Sequence, residues 1–214
     1  MSDILIRGGT VIDGTGAKGF LADVRVADGT IVEVGQNLAP GGEREFDATG
    51  CYVTPGFIES HTHYDASMWW QPDLDPLPAY GATTMILGNC GFTMAPLHPD
   101  QKVKDEVMGI FSFFEDIPIG PFQQSVSWDW STWSEYRASF EKRLKVPLNY
   151  ASYVGHIPLR LAAMGMDAWN RAATPAEIAT MCDLLDDALA AGALGMSDNM
   201  HDHDGDNRPV PSLH

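Results

Sequence analysis

Apolar and polar positions alternate over the first fifty residues and then give way to longer mixed blocks. From Ala22 to Val34 the chain alternates on both sides of Asp28-Gly29, which predicts a β-hairpin closed by an Asp-Gly turn. Ile4 to Gly14 reads as two short strands broken by Gly8-Gly9. Pro40-Gly41-Gly42 forms a loop, and Cys51-Tyr52-Val53 leads into Pro55. These features predict a small, sandwich-like β domain over residues 1–54, with one side of its sheet facing something else.

Beyond residue 55 strands alternate with helices. An apolar run from Pro55 enters His61, and further strands are expected at Ala82–Gly88, Tyr150–His156 and Ala193–Ser197. Thr132-Trp133-Ser134-Glu135 is a capping box, followed by Trp133, Tyr136, Phe140 and Leu144 on one helix face. Thr174-Pro175-Ala176-Glu177 is a second, with Pro at the first helical position. That helix is expected to bury Ile178, Met181, Cys182, Leu185 and Leu189, and to end at Gly192. The alternation predicts an α/β fold with a parallel sheet.

Composition narrows the partners. With 13 Lys+Arg against 29 Asp+Glu the net charge is −16, which argues against nucleic acid or an anionic membrane surface. The amino terminus shows no secretory signal pattern, no apolar run is long enough to span a bilayer, and the three cysteines make no disulfide framework. A reducing cytoplasm is the expected compartment, with no membrane association.

The candidate chemistry sits at the strand ends. His61 and His63 flank one residue, so in an extended strand both imidazoles face one side and can converge on a cation. Cys90 follows the second strand between Asn89 and Gly91, His156 closes the third, and Ser197-Asp198 close the fourth. In a parallel barrel these ends share one rim. Cys51 and Cys182 lack such a setting and are expected to pack, as are the tryptophans.

Gly56-Phe57-Ile58-Glu59-Ser60-His61-Thr62-His63-Tyr64-Asp65 resembles the first metal motif of the amidohydrolase superfamily. Gly81 to Gly91 with Ala95-Pro96 resembles its D-aminoacylase, or N-acyl-D-amino-acid deacylase, group. So do Glu115-Asp116-Ile117-Pro118, Trp128-Asp129-Trp130, Val154-Gly155-His156 with Arg160, and Gly192 to Ser197. The resemblance implies the amino-terminal half of a metal-dependent (β/α)8 TIM-like barrel after a small β domain, both incomplete, with about four β/α units over residues 55–214.

It implies zinc, as one or two divalent ions, with His61, His63 and Cys90 as metal candidates. In that group the cysteine and later histidines hold a tight zinc, and the His-x-His pair contributes to a weaker position. The implied reaction is hydrolysis of an N-acyl-D-amino acid, a small-molecule substrate. The general-base aspartate and the later histidine ligands are expected beyond residue 214, so the chain alone is expected to be inactive. Self-association or a completing chain are the routes to a whole site. A cyclic-amide hydrolase of hydantoinase or dihydropyrimidinase type, and a non-catalytic metal-binding remnant, stay open as alternatives.

Three further residues are candidates for substrate contact or support. Asp65 orients a histidine or caps a turn, His156 lines the substrate pocket or bonds a neighbouring loop, and Arg160 grips a carboxylate or forms a structural ion pair. The tail His201-Asp202-His203-Asp204-Gly205-Asp206 is expected to be a solvated loop, and His214 to carry no role.

Overall fold

A computed structural model describes residues 3–200 and 202–211. The chain divides into two compact units, Met1–Gly56 and Phe57–His214.

The first unit is built on one five-stranded sheet. β1 (Ile4–Val11) pairs antiparallel with β2 (Phe20–Ala27), and β2 with β3 (Thr30–Gly35). β4 (Arg44–Asp47) and β5 (Tyr52–Val53) pair parallel with β1. The β2–β3 turn is the expected Asp-Gly pair, with φ 49° at Asp28 and 78° at Gly29, as a type I′ turn requires. The Gly8-Gly9 pair does not break β1, contrary to expectation. Gly8 takes φ 66°, and the register against β2 slips between Ile6 and Gly9, forming a β-bulge. The Gly8 N–H donates to Asp23 Oδ1 at 2.8 Å. Val11, Ala22 and Val24 form a small buried core, while Ile31, Val32 and Val34 stay exposed.

The second unit runs β6 (Phe57–Glu59), α1 (Tyr64–Ser67), β7 (Ala82–Leu87), α2 (Gln101–Glu115), α3 (Ile119–Ser125) and α4 (Trp133–Arg143). It continues through β8 (Asn149–Ser152), β9 (Val154–Gly155), α5 (His156–Met164), α6 (Pro175–Ala190) and β10 (Met196–Ser197). Among the described residues its strands pair in parallel: β6 with β7, β7 with β8, and β9 with β10. The expected strand at Tyr150–His156 is split. Tyr153 donates to Leu87 O at 3.0 Å, then Val154 donates to Gly195 O at 2.9 Å, so the chain changes partners at Tyr153. His156 opens α5 rather than closing the strand.

Both predicted capping boxes form, Thr132 with Glu135 and Thr174 with Glu177. α2, α3 and α5 were not expected. α2 is capped by the Asp100 side chain on Lys102 N–H, and buries Val103, Val107, Ile110 and Phe111 on one face. The core joins this face to Phe122, Trp69, Trp130, Trp133 and Tyr136. Each fully buried large apolar side chain stabilises the fold by about 1.5–3 kcal/mol.

α6 departs most from expectation. Ile178 and Leu189 are 49% and 45% exposed, Cys182 is exposed, and Ala188 is its buried residue among those described. Met181 and Leu185, also expected to be buried, are half-buried and pack against the core, so among the described residues this face is covered in part. Cys51 is likewise exposed rather than packed.

Glycines allow the strand ends to meet. A Cβ at Gly155 would collide with the Gly91 carbonyl and reach 2.6 Å from Phe92 Cα, all backbone atoms that cannot swing aside. Gly155→Ala should therefore lower the unfolding free energy by about 1–3 kcal/mol in urea titration; an unchanged midpoint would show that the two segments part easily.

Candidate metal centre

The site is built where β6 and β7 end. Thr62 donates to the Ile86 carbonyl twice, through N–H at 3.2 Å and Oγ1 at 2.9 Å. This pins the middle residue of the His-x-His motif to β7. The strand itself ends at Glu59, and His63 (φ −124°, ψ 35°) is the N-cap of α1, so the pair lies in a turn and not on an extended strand as expected. The rings still converge, with centroids 5.4 Å apart.

Cys90 comes from the loop after β7. It adopts φ 54°, a left-handed conformation uncommon for a residue with a Cβ, between Gly88 (φ 73°) and Gly91 (φ 77°). Ser197 holds this loop from β10, donating to Gly88 O at 2.5 Å and accepting from Gly91 N–H at 3.1 Å. The Gly91 carbonyl accepts from Ile157 N–H at 2.9 Å, in the first turn of α5. Asn89 Nδ2 donates to Ile86 O at 3.0 Å. The result brings Cys90 Sγ to 3.0 Å from His61 Nε2, and one donor atom each of His61, His63 and Cys90 lies within 4.8 Å of the others.

The electrostatics suit a cation. Burial, and then His61, hold the His63 imidazole down to about 4, so it is neutral and a competent ligand at pH 7. Its Nδ1 is buried with no hydrogen-bond partner among the described residues, and its ring stacks on Phe92 at 4.8 Å. Burial, with Glu115 and Asp202, pushes the Cys90 thiol up. Glu115 Oε1 lies 3.5 Å from His63 Nε2; since burial keeps that ring neutral, the contact is not an ion pair at neutral pH. Two imidazoles and a thiol are the donor types that zinc takes, so these residues fit such an ion.

The supporting candidates fall in different places. Asp65 is buried beneath the loop, with Oδ2 3.5 Å from Gly88 N, while its backbone carbonyl accepts from Tyr136 OH at 3.3 Å. His156 and Arg160 lie outside the three-donor group and line a separate groove with Leu159, Ile178, Met181 and Met196. Arg160 is 2% exposed, and its Nη2 donates to the carbonyls of Ala168 at 2.9 Å and Arg171 at 3.1 Å.

The acidic tail is not simply solvated. Asp204 is buried and accepts from Asp206 N–H, Arg208 N–H and Arg208 Nε, while Arg208 also reaches Glu106 and stacks over Trp169. Its Asp-Gly density makes a turn, as expected, but around a buried carboxylate. His201 and His214 lie outside the described residues.

Glu115, noted in the sequence only within the Glu115–Pro118 motif, lies beside His63. The signal was present: Val103, Val107, Ile110 and Phe111 mark a helix that starts at Asp100, and Glu115 is its last residue.

Comparison with known proteins decides the family. The amidohydrolase family model matches residues 44–206. The chain belongs to the amidohydrolase family. N-acyl-D-aspartate deacylase of Alcaligenes xylosoxydans xylosoxydans is 39% identical over 197 residues, which is 92% of this chain and 36% of that protein. The crystal structure of D-aminoacylase superposes with a TM-score of 0.74 at 37% identity, over 92% of this chain and 38% of that one. N-acyl-D-glutamate deacylase of Bordetella bronchiseptica, solved with zinc and a phosphonate mimic of the tetrahedral intermediate, gives 0.74 at 34% identity over 93% and 38%. The chain thus spans little more than a third of the length of these relatives. It folds as a small β domain followed by the first part of a TIM-like barrel, with four parallel strand positions.

Asp65 has a measurable consequence. Burial raises its carboxyl from 3.8 to about 7. Its favourable contribution is complete below the unfolded value and is lost as pH rises through the folded one. Stability of the metal-free protein should therefore fall between about pH 4 and 7 and level off above that, and Asp65→Asn should remove most of that slope, gaining roughly 2 kcal/mol at pH 8. Parallel urea curves for both proteins across that range would contradict this.

Proposed function

We propose that this chain supplies the first half of the barrel, and part of the metal centre, of a zinc-dependent N-acyl-D-amino-acid deacylase. The observation that carries the reading is the Cys90 thiol at 3.0 Å from His61 within a three-donor group that also holds His63. The named relatives, a D-aminoacylase and two deacylases of N-acyl-D-amino acids, support the substrate class.

In this reading His61, His63 and Cys90 hold the metal side of the site. Zinc bound there supplies Lewis acidity that polarises an amide carbonyl and acidifies a water. His63 enters neutral, and Cys90 gives up its proton when it ligates. Ser197 and the flanking glycines keep Cys90 aimed at His61. Asp65 props the loop from beneath through Gly88, and Arg160 braces the segment from Ala168 to Arg171. His156 borders the separate groove beside α5 and α6. The general-base carboxylate and remaining ligands come from outside residues 1–214, on the same polypeptide or another. A reducing cytoplasm, which keeps Cys90 a thiol, is the compartment this reading takes.

The test compares the 214-residue chain with the protein as its barrel is completed in the cell. The completed protein should release free D-amino acid from N-acetyl-D-amino acids, lose that activity to a chelator and regain it with zinc. Cys90→Ser should lower kcat/KM at least about tenfold. The isolated chain should show no turnover. Steady zinc-dependent turnover by the chain alone, or preferential opening of hydantoins by the completed protein, would overturn the reading.

A further inference from the structure

We propose that Glu115 is a carboxylate ligand of the centre, sharing a cation with His61 and His63. The inference rests on the metal-centre reading above and extends it to a residue from a different element, the last turn of α2.

The geometry argues for a shared ion. Glu115 Oε1 and His63 Nε2 are 3.5 Å apart, too long for a good hydrogen bond. Zinc binds nitrogen and oxygen at about 2.0–2.2 Å, and tetrahedral geometry then places two such donors about 3.3 Å from each other. The spacing of this one pair matches two donors flanking one ion; Glu115 stands outside the three-donor group of His61, His63 and Cys90, so its side chain must swing inward to complete the set. On the other side of the group His61 Nε2 and Cys90 Sγ stand 3.0 Å apart, a second adjacent pair.

The surroundings select this carboxylate. Asp65, the other nearby acid, is 1% exposed and lies under Gly88. Glu115 keeps 28% of its side chain accessible, enough to swing toward an incoming ion. The left-handed Asp116 (φ 51°) ends α2 directly after it, which fixes the Glu115 backbone while leaving the side chain free to adjust. Added to one thiolate and two neutral imidazoles, a carboxylate brings the ligand charge to −2, which balances a divalent cation.

The test uses the barrel-completed protein, with zinc affinity by chelator competition and cobalt(II) absorption as readouts. Glu115→Gln should weaken zinc at the His61–His63 position at least about tenfold. It should also change the cobalt d–d bands while leaving the Cys90-dependent thiolate charge-transfer band in place. Glu115→Asp should recover part of the affinity, which a purely structural role would not predict. Wild-type affinity and an unchanged cobalt spectrum in Glu115→Gln would overturn the assignment of Glu115 while leaving the metal centre intact. Absence of any Cys90-dependent thiolate band in the wild type would instead remove the centre, and Glu115 with it.

Discussion

The grip on the four residues from Gly88 to Gly91 is the constraint on which the second unit depends. Cys90 stands in a left-handed conformation that a residue with a Cβ seldom adopts, and it is kept there by bonds from three directions. Ser197 bridges Gly88 and Gly91 from β10, Ile157 donates from α5, and Asn89 ties back to β7. The same loop touches Gly155 so closely that no side chain fits between them. Strand order, helix entry and thiol position are thus set together. A strained conformation held by this many contacts is what a preorganised ligand requires.

The fold around this loop is open on particular faces. α6 turns Ile178 and Leu189 outward, and β6 leaves Phe57 and Ile58 more than 60% exposed. Within the first unit, β3 exposes Ile31, Val32 and Val34. Apolar strands and helices of this kind are covered in a finished barrel or sandwich. The chain spans little more than a third of its relatives. On the proposed reading, the elements that complete the metal ligand set also cover the exposed faces of β6 and α6.

Much of this was legible in the residues. The Asp28-Gly29 hairpin, both capping boxes and the convergence of His61, His63 and Cys90 follow from local chemistry and from spacing. What failed was long-range. Gly8-Gly9 makes a bulge because Asp23 and β2 stabilise it, and nothing local shows that. Tyr153 changes partners because β7 and the segment before β10 flank it. The amphipathic pattern of α6 shows in Met181 and Leu185, which pack against the core, while Ile178 and Leu189 stay exposed. Asp204 looked like loop composition and proved to be a buried anchor for Arg208.

Zinc K-edge X-ray absorption of the protein as isolated from its cells tests most directly whether Cys90 is a zinc ligand. The expected spectrum has one sulfur scatterer at about 2.3 Å beside nitrogen and oxygen at about 2.0–2.2 Å, with the sulfur lost in Cys90→Ser. A shell of nitrogen and oxygen alone in the wild-type protein would contradict it.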